Sequence, residues 1–214
     1  MDNDIELKHK DQDLALGQLD ADFSVYNICS VGVGADAKGR IGEEINTTSL
    51  KMRMGIRWLP NAPLNTACHI RMILFWDSAP NGELPNIVST GPDDQSVLDP
   101  ASTAFESIFD QYNYNSTQQR FRIIYDKVWT LSSQFVAVNS DIELDDHPAP
   151  VMRYVKKTFK LGRKQIYQGN DPDYQALVTN GLYVGWYFYS PDSSDSEFNS
   201  LFIDANFRLY YKDC

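Results

Sequence analysis

From Leu50 to Leu59 the chain alternates, with Leu50, Met52, Met54, Ile56 and Trp58 on one side and Lys51, Arg53, Gly55 and Arg57 on the other. A period of two with one apolar and one basic side predicts a half-buried β-strand. Cys68–Trp76 is apolar except for His69 and Arg71, which predicts a strand covered on both faces. Phe121–Leu131 sets Phe121, Ile123 and Tyr125 against Arg120, Arg122 and Ile124, and Val151–Leu161 is a longer ribbon of Val, Tyr, Phe and Lys. Lys164–Tyr167, Leu182–Tyr189 and Leu201–Tyr211 complete the set. β-Branched and aromatic residues dominate these runs, and clusters of Gly, Pro, Asn and Asp separate them.

One helix is expected. Thr103 and Glu106 have the spacing of a capping box, and Phe105, Ile108 and Phe109 follow at i, i+3 and i+4. It spans about two turns and lies in the long connection that follows Asp77, the kind of loop that is more often a functional surface than a linker. No βαβ alternation is present, which excludes a doubly wound α/β fold. The expected architecture is all-β: an eight-stranded antiparallel jelly-roll sandwich with a short helix in a long inter-strand loop. With no internal repeat, low-complexity tract or Pro/Ser-rich hinge, residues 1–214 are expected to form a single domain.

Composition narrows the picture. The chain has 214 residues, 43% hydrophobic and 13% aromatic, which is enough for one sizeable core and unlike a disordered or fibrous chain. No apolar run reaches the roughly 18–20 residues of a membrane-spanning helix, so no membrane insertion is expected. The opening MDNDIELKHKDQD has no stretch that a signal peptidase would read. Three cysteines without CxxC spacing predict neither a disulfide scaffold nor a zinc site, and point to a reducing compartment. The net charge of −10 opposes nucleic-acid binding as a sum. It is unevenly distributed, however. Asp141, Glu143, Asp145 and Asp146 are followed by Arg153, Lys156, Lys157, Lys160, Arg163 and Lys164. Such segregation can mark surfaces that meet, although a solvated face is its ordinary meaning.

Catalytic chemistry finds little support. His9, His69 and His147 lack the close pairing a metal site in a jelly roll would need, and His69 reads as a structural residue within a strand. No Gly-x-Ser-x-Gly elbow is present. Ser30–Gly34 contains two glycines without dinucleotide-fingerprint spacing, and reads as a mobile loop. Asp93-Asp94 and Asp145-Asp146 have the chemistry for acid–base work or calcium, but acidic loop residues are ordinarily just solvated. The sequons at Asn46 and Asn115 lack a leader to give them meaning. No enzyme and no cofactor is expected.

The order of certain residues carries a resemblance. It begins with Glu6-Leu-Lys8, Asp11 and Arg40-Ile-Gly42, followed by the strand Leu50–Leu59. Arg71–Asp77, Pro80-Asn81-Gly82 and Pro85 come next, then Asn115, Arg120–Lys127 and the apolar run to Leu131. Taken together over about residues 5–135, this resembles the jelly-roll capsid proteins of small circular single-stranded DNA viruses that encode a replication initiator, and of related satellite plant viruses. The resemblance implies a structural protein of the virion. It would self-assemble into an icosahedral shell of about 60 copies around circular single-stranded DNA, with assembly in the host nucleus or cytoplasm.

It further implies an Arg/Lys-rich N-terminal arm that condenses the genome. Here the Glu-x-Lys element of the first strand already lies at residues 6–8, so the arm is expected to be absent from this chain. Encapsidation would then depend on local cations, for which Lys8, Lys10, Arg40, Lys51, Arg53 and Arg57 are the candidates, with weak and salt-sensitive binding of single-stranded DNA. The loops Asn81–Ser102, Asp141–Pro150 and Pro191–Ser200 are expected to make subunit or host-receptor contacts, with calcium at subunit contacts left open. Two other readings share the fold. One is a secreted carbohydrate-binding module using Trp58, Trp76, Trp129 or Trp186 as sugar platforms, and the other is a trimeric signalling ligand of the tumour-necrosis type. Three of those tryptophans (Trp58, Trp76 and Trp186) are in phase with apolar neighbours, as core residues would be.

Overall fold

The computed structural model describes residues 6–16, 24–58, 67–88, 96–98, 120–132, 151–189 and 201–214. The expected helix around residues 103–111 and the loops 141–150 and 191–200 lie outside them, as do residues 89–95 and 99–102 of the loop 81–102.

Twelve strands are described. They are β1 (Leu7–Leu16), β2 (Ser24–Asn27), β3 (Glu44–Trp58), β4 (Ala67–Asp77), β5 (Asn86–Val88), β6 (Ser96–Leu98), β7 (Phe121–Ser132), β8 (Val151–Lys160), β9 (Lys164–Tyr167), β10 (Leu177–Thr179), β11 (Gly181–Tyr189) and β12 (Leu201–Asp213). One sheet runs β1-β12-β3, with β8 and β9 sharing the far side of β3 and β10 beyond β9. The second runs β2-β11-β4-β7, and β5 pairs with β6.

Setting the short β5, β6, β9 and β10 aside leaves eight strands; numbered 1–8 afresh in chain order (β1, β2, β3, β4, β7, β8, β11, β12), they take the order 1-8-3-6 in one sheet and 2-7-4-5 in the other. Strands 1·8, 2·7, 3·6 and 4·5 are antiparallel partners, as in one long hairpin folded at its middle. The ribbon is then wrapped so that 8 lies beside 3 and 7 beside 4. This double Greek-key wrap is a jelly roll, the all-β antiparallel sandwich expected from the sequence.

The core follows from the period-two patterns. Leu50, Met52, Met54 and Ile56 of β3 and alternate residues of β12 from Leu201 to Tyr211 face Cys68, Ile70, Met72, Leu74 and Trp76 of β4 and Leu182, Val184, Trp186 and Phe188 of β11. The other side of β4 is also covered, because Ile73, Phe75 and Tyr183 are buried with Val97 and Leu98 of the connection after β4. The double burial expected for this strand is therefore present, and it explains why its sequence barely alternates.

β1 is a different case. Its sequence LKHKDQDLAL has no apolar stripe, yet it pairs residue for residue with β12 from Leu7↔Lys212 to Leu16↔Ile203. Tertiary pairing overrides local preference here. Ser30–Gly34, expected as a mobile loop, is pinned at both ends: Val31 is fully buried, and Val33 forms a bridge with Arg40.

Candidate nucleic-acid interface

The structure divides the six candidate cations into two groups. Lys8 and Arg40 are buried and do not belong to a surface. Lys8 Nζ is 2.8 Å from an Asp213 carboxylate oxygen and donates to the Gly39 carbonyl at 2.9 Å. Arg40 donates from Nε to the Val31 carbonyl (3.0 Å), from Nη2 to the Gly169 carbonyl (2.6 Å) and from Nη1 to the Gly42 carbonyl, with its guanidinium 4.4 Å from the Tyr167 ring centre. Both side chains spend their donors on backbone or carboxylate, so neither has a free face for phosphate. Lys10 is half-buried and lies opposite Leu209, on the core side of the edge strand β1. Lys51, Arg53 and Arg57 are exposed on the outward face of β3.

Antiparallel register places outward residues of four strands in rows across the sheet. One row is His9, Tyr210, Ser49, Lys160; the next is Asp11, Arg208, Lys51, Thr158. Then come Asp13, Asn206, Arg53, Lys156 and Ala15, Asp204, Gly55, Tyr154, and beyond them Phe202, Arg57, Met152.

The charges sort by strand. On the β1/β12 side Arg208 forms a bidentate ion pair with Asp11 at 2.5 and 2.8 Å, and Asn206 donates to the Asp13 carboxylate at 2.6 Å. Hydrogen bonding from Arg208 holds the Asp11 carboxyl below its ordinary range, and Asp11 in turn raises the Arg208 pKa. Where β3 pairs with β8, from Ser49 to Trp58, the outward positions of the two strands carry Lys51, Arg53, Arg57, Lys156 and Lys160 and no carboxylate.

Aromatic rings lie among these cations. Lys51 Nζ is 3.1 Å from the Tyr210 hydroxyl and 4.8 Å from its ring centre, and the Arg57 guanidinium is 4.6 Å from the Phe202 ring. The Lys51 hydrogen bond, helped by Arg208, lowers the Tyr210 pKa. Alternate residues of a strand are roughly 7 Å apart, comparable with successive phosphates of an extended single strand. A basic stripe with interleaved aromatics is the arrangement that sequence-tolerant single-strand binders use.

Lys156, Lys160 and Tyr154 complete the face, and the sequence signal for them was the alternation Tyr154, Lys156, Thr158, Lys160. Register separates the basic segment 153–164. Lys157 turns inward with Nζ 4.4 Å from the Tyr125 ring centre, Lys164 pairs with Glu44, and Arg163 donates to Asn180. The acidic segment 141–146 lies outside the described residues. Among the described residues no group of three or more His, Cys, Asp or Glu is placed to hold a metal ion, and no helix is long and apolar enough to cross a membrane.

No family model matches the chain, and no curated protein matches it. Among solved structures it is similar to a chain of Desmodium yellow mottle tymovirus, at 9% identity and a TM-score of 0.30, covering 100% of this chain and 90% of that one. It is also similar to a chain of tobacco necrosis virus, at 10% identity and a TM-score of 0.34, covering 97% and 95%. The jelly-roll assignment rests on the strand order of the molecule itself.

Proposed function

We propose that this chain is the shell subunit of a virion, a structural protein that assembles with copies of itself around circular single-stranded DNA. The observation that carries the reading is the coincidence of two independent patterns. The eight-strand wrap is that of a jelly roll, and the motif residues of the resemblance fall at its structural joints. Arg40-Ile-Gly42 ties two loops together, Asp77 at the end of β4 accepts a bidentate pair from Arg120 before β7, and Arg71 pairs with Asp126 across those strands. A fold by itself does not name a function; the resemblance that these residues carry supports the reading.

The outward β3/β8 face supplies the contact to the genome, through Lys51, Arg53 and Arg57. Lys8, Lys10 and Arg40 are not part of it. The sugar-platform reading loses three of its four tryptophans, because Trp76, Trp129 and Trp186 are buried, and the side chain of Trp58 lies outside the described residues. Subunit contacts are assigned to the loops 81–102, 141–150 and 191–200. Replacing each loop in turn by a short Gly/Ser linker tests this part: particle formation is expected to fail or change size in at least one variant. Unaltered shells from all three remove the loop assignment.

A further inference from the structure

Gly55 lies inside a 15-residue strand, three residues before its end at Trp58, where glycine weakens pairing and has no side chain to pack. A glycine there marks a place where something approaches the backbone closely. Tyr154, its cross-strand neighbour on β8, lies over it: a Cβ at Gly55 would be 3.6 Å from Tyr154 Cε1 and 3.8 Å from Cδ1. The tyrosine is nonetheless 77% exposed, so one side of the ring rests on Gly55 while most of it meets solvent. Around this pair is an open groove of about 540 Å³, lined among others by Asp13, Arg53, Tyr154, Lys156, Asp204 and Asn206.

We infer that this groove is a base-stacking subsite for single-stranded nucleic acid, with Tyr154 as the platform. The inference rests on the genome-facing role proposed for the same sheet and adds a residue-level recognition mode to it. Charge selects the occupant. Arg53 and Lys156 are directly paired in the row beside Gly55–Tyr154, and Lys51, Arg57 and Lys160 continue the cationic track along the same two strands. Phosphates follow that track, and a base turned inward covers the exposed Tyr154 ring, a contact every base can make.

Asp204 flanks Gly55 on the side away from Tyr154, and its carboxylate accepts hydrogen bonds only. It repels phosphate but suits the exocyclic amino group of cytosine or adenine, which thymine lacks. The subsite therefore favours amino-bearing bases. Tyr154 also shields the bare backbone of Gly55, and a purely structural cover would serve equally well without any ligand. The test separates these roles.

The full-length chain is titrated, by fluorescence anisotropy at low salt, into labelled homopolymers of about ten nucleotides, oligodeoxycytidylate and oligothymidylate. Binding is expected to be weak and lost on adding salt, with cytidylate bound more tightly. Tyr154→Ala should weaken cytidylate binding about fivefold or more, whereas Tyr154→Phe should retain it. Gly55→Val, whose branches meet the ring, should act like Tyr154→Ala, and Asp204→Asn should reduce the preference for cytidylate.

Thermal melting of each variant checks that the fold persists, and Tyr154→Phe against Tyr154→Ala keeps the comparison valid if Gly55→Val fails to fold. Unchanged affinity in Tyr154→Ala, with weakening in Lys51→Gln and Arg57→Gln, overturns the subsite and leaves the basic face standing. No binding by the unmodified chain at low salt overturns both. If Tyr154→Ala weakens binding of heparin but not of the oligonucleotides, the groove is a sugar site and the inference is wrong.

Discussion

Arg40 holds three backbone carbonyls from two loops and stacks on Tyr167, whose hydroxyl donates to the Cys29 carbonyl at 2.6 Å. A charge so deeply buried is tolerated because its donors are satisfied, and it fixes the loop after β2 against the loop after β9. The Asp77–Arg120 pair does comparable work at the end of β4. Asp77 is fully buried and Arg120 partly so, with hydrogen bonds of 2.7 and 2.6 Å, and Asp77 raises the Arg120 pKa. Asp77→Ala removes one partner and leaves the guanidinium without its counter-ion, which costs about 3 kcal/mol. A drop in melting temperature of roughly 6–12 °C is the expected reading for a chain of this size. Cys29 gives a pH signature. Burial pushes its thiol up to about 11 from an ordinary 9.0. A raised folded-state value means that its stabilising contribution is complete below about pH 9 and is lost as pH rises towards 11. Tyr167, Tyr183 and Tyr211 are raised by burial as well, so unfolding should become easier through this alkaline range. Chemical denaturation from pH 8 to 11 should show the decline, and Cys29→Ala should flatten its onset.

At the scale of elements, the strands with strong alternation or continuous apolar character were legible in the sequence. β4, β7, β8, β9, β11 and β12 fall within two residues of the expected runs, and β3 ends within one residue of its run but starts six residues earlier, at Glu44; their side chains meet the core in a period that local sequence displays. β1 was visible only through the Glu6-Leu-Lys8 resemblance. Its inward positions Lys8, Lys10 and Gln12 are polar, and they are accommodated by partners that only the tertiary structure supplies, such as Asp213 and the Gly39 carbonyl. The same cause explains the mixed fate of the candidate cations. Lys51, Arg53 and Arg57 lie on a strand whose alternation reveals which way they point. Lys8 and Arg40 carry the same charge in segments whose direction the sequence does not disclose. For the outward face the quantitative expectation concerns salt. Each phosphate contact to a single strand contributes about 0.7 to the slope of log K against log salt. The double variant Lys51→Gln/Arg57→Gln should therefore lower the slope by about 1.4, while Lys10→Gln should leave it unchanged. An equal slope in the double variant and the unmodified chain would remove β3 from the interface.

For the whole molecule, a net charge of −10 and a basic sheet face are compatible only if the charges are segregated. The β3/β8 face gathers five cations while Lys8 and Arg208 of β1 and β12 are paired with Asp213 and Asp11, so attraction to phosphate is local and the average surface repels it. Such a subunit gains little affinity for DNA by itself. On the proposed function, its hold on a genome would come from repetition, many copies in a closed shell turning the same weak face inward and acting together. Self-association is thus the property on which the functional account depends. Sedimentation velocity of the purified chain, across a range of protein concentrations and ionic strengths, measures it directly. The account predicts a fast-sedimenting, uniform species of shell size under at least one condition, in equilibrium with small oligomers. A single slow species of one subunit, or a stable trimer, under every condition would contradict it.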